Sequence, residues 1–272
     1  MKKAEIALNN LAKLQQRGLK IIYIWHNTIA HHENKGKEKL YEYFQSNADL
    51  ILHLNTWSLS ISERQKPSII SKFVRHPFMH SPFPKVEGDS LLVYGRIRTR
   101  TQLFQLLLAT WVCSFIGRRI YLGSFPTKKT GRFTKMIYRL IPKNDKVIIN
   151  EGKLEGELER TFWRNSKTVL ALRGKRNTNS GILIQGLSEH RNILIGNVRS
   201  ACDYNHLKCV SIFTNLISLM YLIARDHKTP YELGDFSTAD FKELKKDSSL
   251  EKFEEALQEA CVSLRNIAYL AK

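Results

Sequence analysis

The chain has 272 residues and a mass of 31.5 kDa, 43% of them hydrophobic and 10% aromatic, which excludes a disordered polypeptide and suits one large domain or two small ones. Lys and Arg number 43 against 25 Asp and Glu, a net charge of +18, so an anionic partner is expected: nucleic acid, an anionic membrane surface or a phosphate-bearing small molecule. Four cysteines without a CxxC exclude a zinc ribbon and a disulfide scaffold, and neither the N-terminus nor the uncharged run Cys209–Ala224 has the apolar length of a signal peptide or of the roughly 20-residue span a bilayer requires.

In chain order, the apolar spacing predicts a helix over 4–17, stopped by Gly18. The run Lys20–Trp25 reads as a buried strand ending at His26-Asn27. A helix over 37–47, a strand Leu50–Leu54, a helix over 57–65 and a strand Ile69–Val74 follow. The proline-rich stretch His76–Asp89 reads as a linker. A second alternating series then begins. Its strands are Leu91–Tyr94, Arg119–Leu122, Lys146–Ile149, Thr168–Leu172 and Asn192–Ile195. Its helices are Thr101–Cys113, 131–140, 154–163, Ser180–Ser188 and a strongly apolar 206–225. The tail from 238 to 271 gives one or two amphipathic helices, with Leu250, Phe253, Leu257, Cys261, Leu264, Ile267 and Leu270 on one stripe. Alternation of strand and helix predicts an α/β fold with two Rossmann-like domains. The expected divisions are 1–84, 85–235 and 236–272, the last being helices that pack across the domains. The first half opens on a helix, without the strand and Gly-containing turn that usually begin such a unit, so it reads as incomplete.

Three clusters follow strand ends, where open α/β sheets bind ligands. The first is His26-Asn27-Thr28-Ile29-Ala30-His31-His32-Glu33. A histidine there can act as acid or base near neutral pH or bind a substrate hydroxyl. The spacing does not match HExxH and no metal is expected; the plainer reading is a polar turn. The second is Tyr94-Gly95-Arg96-Ile97-Arg98-Thr99-Arg100-Thr101, where Gly95 permits close backbone approach and Arg96 and Arg98 offer forked donors to a phosphate. It lacks the GK[ST] of a Walker A loop, and a solvated basic turn is the alternative. The third runs from Arg173 to Gly181. Asn179 or Ser180 can cap the following helix, Gly181 opens its first-turn amides, and Arg173, Lys175 and Arg176 add charge for a diphosphate. An ordinary capped helix after a basic loop is the alternative here.

In this order the clusters resemble bacterial GT-B glycosyltransferases, particularly those that build capsule and exopolysaccharide. The matching segments are Tyr23-Ile24-Trp25-His26-Asn27 with His32-Glu33, Ala48-Asp49 through His53, Val74-Arg75-His76-Pro77, Tyr94-Gly95-Arg96-Ile97-Arg98, and Leu172-Arg173 through Asn179-Ser180-Gly181 to Arg191-Asn192-Ile193-Leu194. Together they span about residues 15 to 200. The resemblance implies the GT-B fold with its N-terminal domain incomplete and a C-terminal helix docking back. It implies a UDP- or GDP-linked sugar as co-substrate, with no further cofactor. The diphosphate is expected near Gly95, Arg96, Arg98, Arg173, Asn179, Ser180 and Gly181, and His26, His32 and Glu33 near the reacting sugar and the acceptor. The implied acceptor is a glycan or a polyprenyl-diphosphate-linked saccharide. A cytoplasmic place at the anionic inner face of the cell membrane follows, and a second chain supplying the absent N-terminal segment is a further expected partner. Nucleic acid is not expected under this reading. The sequence departs from the family at Arg100 and Thr101-Gln102, where a lysine is usual, at Asn177 and Gln185, where the retaining branch often has glutamates, and at Asn192, where a proline is usual. The competing reading is a non-catalytic basic α/β protein that binds nucleic acid or an anionic membrane surface.

Overall fold

The computed structural model describes residues 2–25, 35–65, 69–78, 85–95, 97, 99–125, 131–172, 181–231 and 236–270. The chain divides into two units: Met1–Pro77 with Lys245–Lys272, and Phe78–Leu244. The divisions therefore fall at 77/78 and 244/245, where the sequence reading has 84/85 and 235/236.

The first unit contains α1 (Lys2–Gln16), β1 (Ile22–Trp25), α2 (Lys35–Asn47), β2 (Leu50–His53), α3 (Thr56–Gln65), β3 (Ile70–Phe73) and, from the far end of the chain, α10 (Leu250–Leu270). Its three strands are parallel in the order β1-β2-β3, with Trp25, His53 and Phe73 in register at their C-terminal ends. The central strand is apolar at successive positions because both its faces are covered. Leu50 and Leu52 point to one face, packing with Leu54 and Val74 against Ala260 and Leu264 of α10. Ile51 points to the other, with Trp25, Ala48 and Leu11 of α1. The C-terminal helix thus docks back on the N-terminal sheet, as expected. Its buried stripe runs through Phe253, Ala256, Leu257, Ala260 and Leu264, whereas Leu250 and Cys261 are exposed. The 3.6-residue period favours small Ala260 at the helix–sheet contact over its neighbour Cys261.

The second unit holds β4 (Ser90–Val93), α4 (Arg100–Phe115), β5 (Ile120–Phe125), α5 (Arg132–Leu140), β6 (Val147–Glu151), α6 (Gly156–Arg164), β7 (Ser166–Ala171), α7 (Gly181–Ser188), β8 (Asn192–Gly196), a 3-10 turn (Arg199–Tyr204), β9 (Val210–Phe213) and α8 (Leu216–Lys228). The helix α9 (Ala239–Asp247) begins in this unit and ends in the first. All pairs in the six-stranded sheet are parallel, in the order β6-β5-β4-β7-β8-β9. The first strand in sequence therefore lies in the middle. The chain builds outward on one side through β6, then returns to build the other side from β7. That reversal puts a topological switch point between β4 and β7.

Alternate residues of the central strands feed two cores. Leu91, Val93 and Leu170 pack with Leu106, Ala109 and Cys113 of α4 and Leu219, Leu222 and Ile223 of α8. Leu92, Val169 and Ala171 pack with Phe162 and Trp163 of α6 and Leu183, Ile184 and Leu187 of α7. The apolar stretch expected as one helix over 206–225 is instead strand β9 followed by α8. Val210-Ser211-Ile212-Phe213 suits a strand. Asn215 then starts a new helix: its side chain accepts from the Ser218 amide at 2.8 Å and the Ser218 hydroxyl receives the Asn215 amide at 3.0 Å.

Candidate functional site

The switch point joins the second and third clusters. β4 ends at Val93, and the chain turns through Gly95 at φ +95, a left-handed conformation that glycine adopts without steric cost. A Cβ built on Gly95 would lie 2.4 Å from Cδ1 of Ile182, in the first turn of α7. The loop after β4 thus lies directly against the start of the helix that follows β7. At Gly181, which opens α7, an added Cβ would meet nothing within 4 Å, so the backbone there faces open space. The helix after the Gly95 loop is anchored to the same place. Thr99 caps α4 in a reciprocal capping box with Gln102, at 3.2 Å in each direction. The Gln102 amide also donates to the Leu172 carbonyl, 3.4 Å away, at the end of β7. Two helix N-termini, α4 and α7, therefore start at one sheet edge. Such ends present free amides and a positive dipole, an arrangement suited to a diphosphate.

Two further features tighten this edge. The Tyr94 hydroxyl donates to Glu159 of α6 at 2.5 Å and also bonds Gln185 of α7. Burial first, then the Glu159 carboxylate, push the phenol well above its usual range, so Tyr94 stays protonated. Gln185 is thus engaged in the link between the loop and α7. Gly186 lets α7 sit close on the sheet, since a Cβ there would come within 2.2 Å of Ile193. The sequence reading included Tyr94 in the second cluster without giving it a role, and missed Glu159 and Gly186 as parts of the site. Only the isolated glycine in an apolar helix, Gly186, carried a signal that could have found one of them.

Of the expected site residues, the structure describes Gly95 and Gly181 and brings their segments together. His26, His32, Glu33, Arg96, Arg98, Arg173, Asn179 and Ser180 lie outside the described residues. The described chain reaches the first cluster at Trp25, the last residue of β1. The Trp25 ring lies 5.2 Å from that of His53, which the sequence reading placed within a strand and at the end of a family-like segment without giving it a site role. His53 is wholly buried; Nδ1 faces the Ser58 hydroxyl at 3.1 Å and Nε2 the Ser71 hydroxyl at 3.4 Å. Burial lowers its pKa to about 4, so it is neutral and ties the end of β2 to α3 and β3.

The opposite edge of the large sheet carries a buried polar network of a different kind. Arg118 meets Asp226 of α8 at 2.7 Å, and its other bonds reach the Asp89 carbonyl and the Thr168 hydroxyl. Thr168 donates to Asp226 at 2.6 Å, and Asn192 donates to the same carboxylate. With every partner drawn from a strand start or a helix end, this is a brace rather than a reaction centre. Among the described residues no group of three His, Cys, Asp or Glu is placed to hold a metal ion, and no helix is long and apolar enough to cross a membrane.

No family model matches the sequence, and no curated protein matches it. Solved structures do. The chain is similar to the sucrose-phosphate synthase of Thermosynechococcus elongatus, with a TM-score of 0.68 and 12% identity over 94% of this chain and 71% of that one. It is similar to a UDP-forming α,α-trehalose-phosphate synthase from Burkholderia xenovorans, with a TM-score of 0.65 and 12% identity over 94% and 70%. A glycosyltransferase from Rickettsia africae follows at 0.61 and 10%, over 97% and 80%. At such identities the likeness is one of fold, and the fold is GT-B: an α/β chain of two Rossmann-like units with parallel sheets.

Proposed function

We propose that this chain is a glycosyltransferase that moves a sugar from a UDP- or GDP-linked donor to a glycan or a lipid-linked saccharide. The observation that carries the reading is the meeting of the Gly95 loop with the first turn of α7 at the switch point, on a GT-B fold. A trehalose-phosphate synthase among the similar structures is named as UDP-forming, which favours a nucleotide diphosphate leaving group here too.

In this reading the diphosphate lies on the amides at Gly181 and beside Gly95, with Arg96, Arg98 and Arg173 supplying charge and Asn179 or Ser180 capping α7. As the bond from the sugar's anomeric carbon to the diphosphate oxygen breaks, negative charge grows on that oxygen. Amide dipoles and guanidinium groups fixed before the reaction stabilise it without reorganising. The chemistry is then largely positioning, with His26, His32 and Glu33 orienting the sugar and the acceptor hydroxyl. A role in capsule or exopolysaccharide synthesis, a polyprenyl-diphosphate acceptor and a cytoplasmic site at the inner membrane face belong to the same proposal. The +18 charge supports the anionic acceptor and surface.

Isothermal titration with UDP, GDP and their sugars tests the donor site. One nucleotide binds, and Arg98→Ala weakens it about tenfold or more, the loss expected for one charge-assisted hydrogen bond. Absence of binding by every nucleotide, or an Arg98→Ala variant that binds as the parent does, refutes the donor site.

A further inference from the structure

More than half of the large apolar side chains exposed among the described residues lie on three helices, α4, α5 and α8. These helices are neighbours on one face of the large sheet. Trp111 of α4 donates to the Leu140 carbonyl at the end of α5 at 3.0 Å, and α4 and α8 share one core. Each is apolar on its inner side, as a covering helix must be. Each is also apolar on its outer side. In α4, Phe104, Trp111 and Phe115 are spaced by seven and four residues along one outward stripe, and Phe115 is 92% exposed. In α8, Ile217 is 79% and Tyr221 63% exposed. A patch of this kind is uncommon on the surface of a soluble monomer.

Charge selects the occupant. The outer faces of α5 and α8 carry Arg132, Lys135, Arg139, Arg225 and Lys228. The only acid in the three helices is Asp226, which is buried against Arg118. Carboxylates border these helices too, and each is paired: Asp89 with His227 of α8 at 3.2 Å, Asp145 with Lys146 at 3.2 Å, and Glu151 with the Tyr138 hydroxyl. Aromatic and aliphatic groups in the middle, with cations in excess around them and the bordering carboxylates already paired, match the boundary between lipid tails and anionic headgroups. A nucleic acid would match the cations and leave Phe115 and Ile217 without a partner.

We propose that the outer face of α4, α5 and α8 is a docking surface for an anionic lipid bilayer. This deepens the membrane part of the proposed function. It needs no nucleotide, so its failure and that of the donor site are read separately.

The test is co-sedimentation of the full chain with vesicles of phosphatidylcholine alone and of phosphatidylcholine with phosphatidylglycerol. The chain sediments with the anionic vesicles. Phe115→Ser with Ile217→Ser weakens this at least tenfold, and so does Arg132→Glu with Lys135→Glu and Arg139→Glu, with circular dichroism unchanged in both. A matched reversal on another helix, Lys242→Glu with Lys245→Glu and Lys246→Glu, leaves binding within about twofold. The proposal is overturned if no vesicle binds, if the control reversal weakens binding as much as the α5 set, or if the apolar pair has no effect. It is also overturned if sedimentation velocity shows a dimer that Phe115→Ser with Ile217→Ser dissolves, because the patch would then be an interface between copies.

Discussion

Gly95 follows the C-terminal end of β4 and His53 closes β2, and each makes a sharp prediction. At Gly95 any side chain meets a positive φ and Ile182 at once. Gly95→Ala is expected to cost about 2 kcal/mol or more in urea unfolding, from the left-handed backbone and the overpacked contact together. Ile182→Ala in the same chain should recover the contact part and leave the backbone part. His53 works through protonation. Its pKa falls from 6.5 to about 4 on folding, so between those values the unfolded chain binds the extra proton. The stability from neutral His53 is whole above pH 6.5 and is lost as pH falls toward 4. His76, lowered by burial too, acts in the same direction. Unfolding at pH 7 and pH 5 should differ by about 2 kcal/mol more in the parent than in His53→Gln. The histidine's chemistry was hidden in the sequence, because Leu50–His53 reads as one more buried strand, and only the fold brings Ser58 and Ser71 to its ring.

At the level of elements, the strands were legible wherever β-branched and leucine-rich runs stood alone, as in Leu50–His53 and Ser90–Val93. The sequence reading lost β9 because Val210–Phe213 runs into α8 with no charge, proline or glycine between them, and the Asn215 cap is the only punctuation. The brace at the far sheet edge was not legible at all. Arg118, Thr168, Asn192 and Asp226 are far apart in sequence, and each looks like an ordinary polar residue until the sheet assembles them. Removing one partner leaves the other charge buried alone. Asp226→Ala should therefore destabilise the second unit by about 3–5 kcal/mol. Replacing Arg118 and Asp226 together by Met and Leu should return most of that, in the same thermal unfolding experiment. If Asp226→Ala changes stability by less than about 1 kcal/mol, the brace carries no such role.

For the whole molecule, the alternation of strand and helix was enough to predict two Rossmann-like units, and the order of three weak clusters was enough to suggest GT-B. The strand order was not in the sequence. It is the order β6-β5-β4-β7-β8-β9 that brings the Gly95 loop and α7, far apart in sequence, to one switch point. The net charge at first allowed three classes of partner; the proposals above call on Arg96, Arg98 and Arg173 for a diphosphate and on the lysines and arginines of α5 and α8 for a lipid surface. Hydrogen exchange of the full chain, alone and with UDP or GDP, tests the donor site most directly. One of the two nucleotides should slow exchange across 94–103 and 172–184 and leave the brace around Arg118 and Asp226 unchanged. Protection by neither nucleotide, or protection confined to other segments, would contradict a donor site at the switch point.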